Sequence, residues 1–404
     1  MIKKIRIEDL RLGMYIHDLN CGWMAHSFLW PRFLLRKESD LQKILESGAR
    51  EIYINVDKGL DAPGAEQHEA DQAIAKEMIK AIEDAPVPHG KTSHMDELTT
   101  ARNIQSEANL VVKGLLSDIR LGKQIKVERV EPLVGQITDS ILRNQGTLVS
   151  LCRIKERDNY TFQHSVSVAT LMVSFCRYME MDHTAIKEAG IGAILHDVGK
   201  MKVPDSVLNK PGKLTDDEFR VMKSHVTLGL DILKETPGIS QVAIQIAGEH
   251  HERFGGSGYP RDIKGQEISL LGRMAAIVDV YDAITSNRVY HTGMEPPAAL
   301  QKLFEWSKFH FDEELVQHFI QSIGIYPVGS LVRLESNRIA VVVQQGEAGL
   351  LFPVVRVVYD ARRGMRIGPL DLDLADDAVQ DSIIGPETPE QWGLNPFDFL
   401  TLTL

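Results

Sequence analysis

Leu195-His196-Asp197-Val198-Gly199-Lys200 is the stretch on which the reading of this chain turns. It puts an imidazole and a carboxylate side by side at the end of an apolar run, with a glycine and a lysine just behind. Such a pair suits two metal ions that share the carboxylate, with the lysine within reach of a phosphate. Alone the dipeptide carries little weight, because it arises by chance. Its meaning depends on whether the rest of the chain supplies matching ligands.

Working outward, the candidates are His164, His225, His250-His251 and Asp279, at steps of 32, 29, 25 and 28 residues around the pair. That is roughly one group per helix–turn–helix step. His164 shares a helical face with Val168, Leu171, Met172 and Phe175. His250 follows Ala243, Ile246 and Ala247 on another inward stripe. Asp279 directly follows the apolar run Leu270–Val278, where an unpartnered carboxylate is costly. A lone inward histidine is ordinarily a hydrogen-bonded core residue, and His250-His251 beside Glu249 and Glu252 also fits a polar helix end. Seven such groups in one helical region argue instead for metal. Five histidines and two aspartates without cysteine favour Fe or Mn, with Ni or Zn also compatible. Seven groups exceed one tetrahedral ion, and two ions about 3.5–4 Å apart are a recurrent arrangement for phosphate-ester hydrolysis. Lys200, one turn after His196, then faces a phosphoryl oxygen rather than solvent.

The 404 residues imply two or three domains, and 43% hydrophobic with 25% charged residues is a globular composition. The net charge of −11 argues against a nucleic acid polymer as partner. Cys21, Cys152 and Cys176 form no CxxC, which fits a reducing, cytoplasmic compartment. The basic N-terminus leads to no signal peptide core, and no run of about 18 apolar residues marks a membrane span.

The pattern gives a mainly α chain. Residues 1–60 read as a small α/β domain: a strand over 7–16 around Gly13, a helix over 41–47 and a strand over 51–56. Trp23, Phe28, Trp30 and Phe33 fill its core. Residues 61–95 are Ala-, Glu- and Pro-containing and read as a linker with a loose helix over 69–82, and with His68, His89 and His94 in solvent. Residues 96–150 form a helical connector, with Ala108, Leu110, Val111, Leu115, Ile119 and Leu121 on one face and a second helix over 130–143. Residues 151–325 continue as helices, and 326–404 close the chain with a small antiparallel β appendage over 329–334, 339–345 and 352–359. The last part, from Asp371, has no readable pattern.

The ordered set His164, His196-Asp197-x-Gly199-Lys200, His225, His250-His251-Glu252 and Asp279 resembles the HD-GYP branch of the HD superfamily. Gly258-Tyr259-Pro260 sits seven residues after His251, and Asp279-x-x-Asp282-Ala-Ile-Thr285-Ser286-x-Arg288 is similar to the closing motif of that branch. Residues 1–60 resemble a domain of unknown function often found before such modules. The resemblance implies an HD-type helical bundle and hydrolysis of cyclic di-GMP to pGpG, with pGpG or GMP as the end product. It places His164, His196, Asp197 and Asp279 on one metal, and Asp197, His225, His250 and His251 on the other. It puts Lys200 and Arg288 on the substrate phosphate or guanine, and Tyr259 beside the cleft, with Gly258 permitting a turn and Pro260 stiffening it. A hydroxide bridging the metals attacks phosphorus in line, and Asp282 or Lys200 is the candidate proton donor to the leaving oxygen. Tyr160 stands where some members carry a glutamate for a third metal, so two metals are expected. Gly255-Gly256 and Val289-Tyr290-His291 also depart from the family pattern, and a looser loop and a weaker grip on substrate are expected. Partners consistent with the family are diguanylate cyclase domains, through the Gly-Tyr-Pro loop, and a second copy of the chain. The alternative function is a sensor or interaction module that binds the dinucleotide with little turnover.

Overall fold

The computed structural model describes residues 2–19, 33–45, 51–62, 70–82, 92–153, 160–210, 212, 214–286, 293–346 and 348–400. At the N-terminus lie β1 (Ile2–Arg6), β2 (Tyr15–Asp18), β3 (Phe33–Leu34), α1 (Glu38–Leu45) and β4 (Glu51–Asn55). They build an antiparallel sheet of order β1-β4-β2-β3. Ile5, Met14, Ile16, Ile44, Ile52 and Ile54 form its small core. The expected strand over 7–16 is not one strand. Ile7–Asp9 is a 3₁₀ turn, and Gly13 turns the chain with φ +90°, a conformation that glycine takes without steric cost. Trp23, Phe28, Trp30 and Cys21 lie outside the described residues, as do His68 and His89.

The stretch expected as linker contains α2 (Ala70–Ile82). Ile74 and Met78, four apart, bury against the main helical core, so this helix is docked. α3 (His94–Arg120) is capped by Ser93, whose hydroxyl accepts from Asp96 N at 3.2 Å. Its buried stripe is Leu98, Ala101, Ile104, Ala108, Val112, Leu115 and Ile119. Leu110 and Leu121 face away from that stripe, at 72% and 74% exposed, which corrects the expected face by about one residue in phase. His94 is also corrected from solvent to core. Its Nδ1 meets Thr147 Oγ1 at 2.9 Å, and burial pulls it down to about 4.

The helical body continues with α4 (Glu131–Arg143), α5 (Gln145–Cys152), α6 (Tyr160–Tyr178), α7 (His183–Leu195), α8 (Asp205–Leu208) and α9 (Asp216–Lys223). Then come α10 (His225–Lys234), α11 (Gln241–Glu249), α12 (Leu270–Thr285), α13 (Pro296–Ser307) and α14 (Glu313–Ile323). α6 packs on α7 and α12, and α11 packs between α7 and α12. Small residues permit this closeness: a Cβ on Gly192 would lie 2.9 Å from Ala243 Cα.

The C-terminal strands are β5 (Leu331–Leu334), β6 (Arg338–Gln344), β7 (Val354–Asp360), β8 (Met365–Asp373) and β9 (Ile383–Pro386). They form an antiparallel sheet of order β8-β7-β6-β5-β9. Two short helices follow, α15 (Pro389–Trp392) and α16 (Pro396–Leu400). Strand alternation splits this sheet between two cores. Val332, Ala340, Val342, Val355 and Val357 join the helical core. Leu331, Ile339, Val341 and Val358 face a second core with Leu394 and Leu400. Covered on both faces, its central strands read as continuous β-branched runs.

Candidate metal centre

Each histidine and aspartate singled out in the sequence is delivered by a different helix end or face. His164 comes from α6, His196 closes α7, and Asp197 opens the 3₁₀ turn Val198–Lys202. His225 opens α10, His250 caps α11, and Asp279 lies in α12. Gly199 is what lets α10 reach the His196-Asp197 pair. A Cβ there would sit 1.8 Å from His225 O and 2.4 Å from Gly229 N. Any side chain at 199 would therefore push His225 away.

The seven groups converge. His164, His196 and Asp197 form one set of ligand atoms within 4.8 Å of one another, and Asp197, His225, His250 and His251 form another. Asp197 divides its carboxylate between them. Its Oδ2 lies 3.6 Å from His164 Nε2 and 3.2 Å from His196 Nε2. Its Oδ1 lies 3.4 Å from His225 Nε2 and 3.8 Å from His250 Nε2. Asp279 also straddles the cluster. Its Oδ1 is 3.0 Å from His164 Nε2, while its Oδ2 is 3.7 Å from His251 Nδ1.

Hydrogen bonds fix which ring nitrogens are available. The Nδ1 of His196, His225 and His250 meet the carbonyls of Ala193, Met222 and Ala247 at 2.7, 2.6 and 2.8 Å. A carbonyl only accepts, so each Nδ1 carries the proton and each Nε2 presents a lone pair. Those three Nε2 atoms, both nitrogens of His251 and Asp197 Oδ1 are buried with no hydrogen-bond partner. His164 is fixed likewise, its Nδ1 donating to Asp282 Oδ2 at 2.6 Å. Its Nε2 lone pair then faces Asp279 Oδ1, and two electron-rich atoms so close require a cation or proton between them.

The electrostatics of His225, His250 and His251 agree with neutral imidazoles beside ionised carboxylates. Burial pulls His225 down to about 4 and His250 to about 3, with other imidazoles adding to the effect on His250. His251 is held well below the usual imidazole range by burial and by His250. His196 is raised, because Asp197 and Asp279 outweigh its burial. Burial opposes ionisation of Asp197, yet Lys200 and His196 hold it well below the usual carboxylate range. Asp279 is held low against burial by His164. Neutral nitrogen donors and anionic oxygen donors, with no thiolate, fit divalent first-row metals.

The remaining expected site residues are placed as follows. Lys200 Nζ donates to Asp197 Oδ2 and is 17% exposed, so its charge lies on the shared carboxylate. Asp282 is corrected. Its two oxygens accept from His164 Nδ1 and Ser167 Oγ, which places it behind an imidazole rather than as a proton donor over the cleft. Ser167 was missed by sequence reasoning, and its only signal is the i+3 position from His164. Arg288 and the Tyr160 side chain lie outside the described residues. Tyr259 stacks on His251, with ring centroids 4.7 Å apart at 31°. Gly258 is corrected from a turn glycine to one of close approach. Its φ is not positive, and a Cβ would lie 2.4 Å from Arg253 N. Glu249, also missed, ties the region together by accepting from Arg261 at 2.6 Å and from Ser269 N at 2.9 Å.

Comparison with known proteins places these features in a family. The HD domain family model matches residues 152–315, and that for a domain of unknown function (DUF3391) matches residues 2–130. The second match runs through α2 and α3, beyond the small sheet. The cyclic di-GMP phosphodiesterase PA4108 of Pseudomonas aeruginosa is 40% identical over 400 residues, 98% of this chain and 95% of its own. A Vibrio cholerae cyclic di-GMP phosphodiesterase is 38% identical over 214 residues, 47% of this chain and 44% of its own. The Vibrio cholerae 3'3'-cGAMP-specific phosphodiesterase 2 is 41% identical over 128 residues, 31% of this chain and 24% of its own. With an HD match laid over the cluster and a relative aligned along nearly its whole length, the chain belongs to the HD-GYP branch of the HD superfamily, with a DUF3391 domain at its N-terminal end.

Proposed function

We propose that the chain hydrolyses a cyclic dinucleotide, cyclic di-GMP, opening it to linear pGpG and cleaving that onward to GMP. One observation carries the reading: buried Nε2 lone pairs from three helices converge on the two oxygens of Asp197, with each Nδ1 already bonded. In this reading His164, His196, Asp197 and Asp279 hold one divalent ion, Fe or Mn, and Asp197, His225, His250 and His251 hold the second. When bound, such a pair supplies Lewis acidity to both the attacking and leaving oxygens and lowers the pKa of an attacking water.

The chain's own groups do the rest. Asp282 and Ser167 hold the His164 ring at a fixed angle and keep its Nε2 bare. Lys200 offers a compact positive charge to a phosphoryl oxygen once Asp197 is otherwise engaged. The Tyr259 ring, stacked on His251, walls one side of the centre against water. Arg288, by resemblance, takes the second phosphate or a guanine. Residues 151–325 carry the chemistry in this reading. Residues 1–60 touch the helical body through Tyr53, whose hydroxyl donates to the buried Glu305 of α13.

The test is the fate of nucleotide. Protein loaded with Fe or Mn under anoxic conditions is incubated with cyclic di-GMP or with 3'3'-cGAMP, and products are followed against time. The expected result is pGpG and then GMP from cyclic di-GMP, stopped by a chelator. No product from either nucleotide, with both ions bound, overturns the reading. Cleavage of 3'3'-cGAMP alone overturns the choice of substrate.

A further inference from the structure

Tyr259 is held by more than its stack on His251. Lys223, in the last turn of α9, places its Nζ over the Tyr259 ring at 5.1 Å and over the Phe219 ring at 4.9 Å. Both distances are within cation–π range. Phe219 is one turn earlier on the same helix, so it fixes where the lysine stem can run. Among the described residues no carboxylate pairs with Lys223, and Asp262 favours its charge only through space. The side chain is half-buried, and a partly desolvated ammonium binds an aromatic face more strongly than a hydrated one. The ring also stands edge-on to His225, with centroids 6.5 Å apart at 85°. The backbone amide of Tyr259 donates to His251 O at 3.2 Å, but the hydroxyl is buried with no hydrogen-bond partner. The ring therefore borders two histidines of the cluster, and Lys223 Nζ sits over its face.

We propose that Lys223 is a positioning residue. Its ammonium pins the Tyr259 ring against the His251 imidazole, so that His251–Tyr259–Lys223 acts as one unit that sets both the plane of His251 and the place of the tyrosine hydroxyl. The kinetic part of this proposal rests on the phosphodiesterase reading above, and the structural part does not.

Three variants of the full chain test it: Lys223→Met keeps the stem without the charge, Lys223→Arg keeps the charge, and Tyr259→Ala removes the ring. In hydrogen exchange on the metal-loaded protein, Lys223→Met should speed exchange over residues 251–262 by about tenfold, the order of a partly desolvated cation–π contact. Lys223→Arg should not, and exchange elsewhere should be unchanged. Unaltered exchange in Lys223→Met overturns the proposal. In turnover of cyclic di-GMP, Lys223→Met should lower kcat by about tenfold with KM unchanged, and Lys223→Arg should restore it. In a Tyr259→Ala background Lys223→Met should have no further effect, because the two act as one unit. A rise in KM alone, or an effect that persists without the Tyr259 ring, would place Lys223 on the substrate and overturn the positioning role. If the wild-type chain turns over no cyclic dinucleotide, the functional reading fails while the exchange result still decides the stack.

Discussion

Two buried polar clusters in this molecule differ in one respect. At Glu305 on α13, Oε1 accepts from Tyr53 and lies 3.7 Å from Lys4 Nζ, while Oε2 receives Lys302 Nζ at 3.1 Å. At Asp197, Oδ1 has no hydrogen-bond partner, and five surrounding imidazole nitrogens are equally bare. The first cluster is complete within the chain. It joins the N-terminal sheet to the helical body, as Glu97 with Ser140 and Arg143 joins α3 to α4. The second cluster is incomplete without a ligand. Buried polar groups are nearly always paired, so a concentrated exception marks where something else binds. The chemical type of the bare atoms then says what: lone pairs on neutral nitrogen around ionised oxygen call for cations.

This contrast can be broken or sharpened by substitution. The largest effect is expected at Asp197, since it belongs to both sets of ligand atoms. Asp197→Ala should reduce turnover by about a thousandfold or more and cut bound metal, as measured by product assay and elemental analysis. Full activity in that variant would put the site elsewhere. Asp282→Asn should weaken metal binding by about ten- to a hundredfold, read by competition with a chelator. The fold should remain intact, because only the partner of His164 changes. An unchanged affinity would mean that Asp282 does not orient the ring. Smallest at the centre is the complete cluster. Glu305→Gln should cost stability by about 3 kcal/mol, the scale of breaking a buried charged pair, in denaturant unfolding. Bound metal should stay unchanged. Loss of metal in this variant would erase the distinction between the two clusters.

The centre was more legible in sequence than its supports. His196-Asp197, His250-His251 and the rest stand out because ligand chemistry is written in residue types and helical spacing. What Asp282 does was not legible, since spacing puts it near Asp279 but not behind His164. His94 looked solvated among polar neighbours, because Thr147 and the C-terminal residues that bury it are distant in the chain. Ile74 and Met78 anchor α2 in a stretch whose composition otherwise reads as linker. Leu110 and Leu121 misled the phase of α3 because a 27-residue helix carries apolar residues on its exposed side too. Gly258 reads as a turn glycine in sequence, and Gly199 has no role legible there. Their role, close approach of backbones, appears only once the partner segment is in place.

The central claim is that Asp197 couples two ions into one centre. The most direct measurement is the paramagnetic resonance of protein reconstituted with Mn(II), together with metal counting on the same sample. Two ions per chain with a spin-coupled signal, and loss of that coupling in Asp197→Ala, is the predicted result. A single ion per chain, a stable ratio of three, or two ions with uncoupled signals would contradict it.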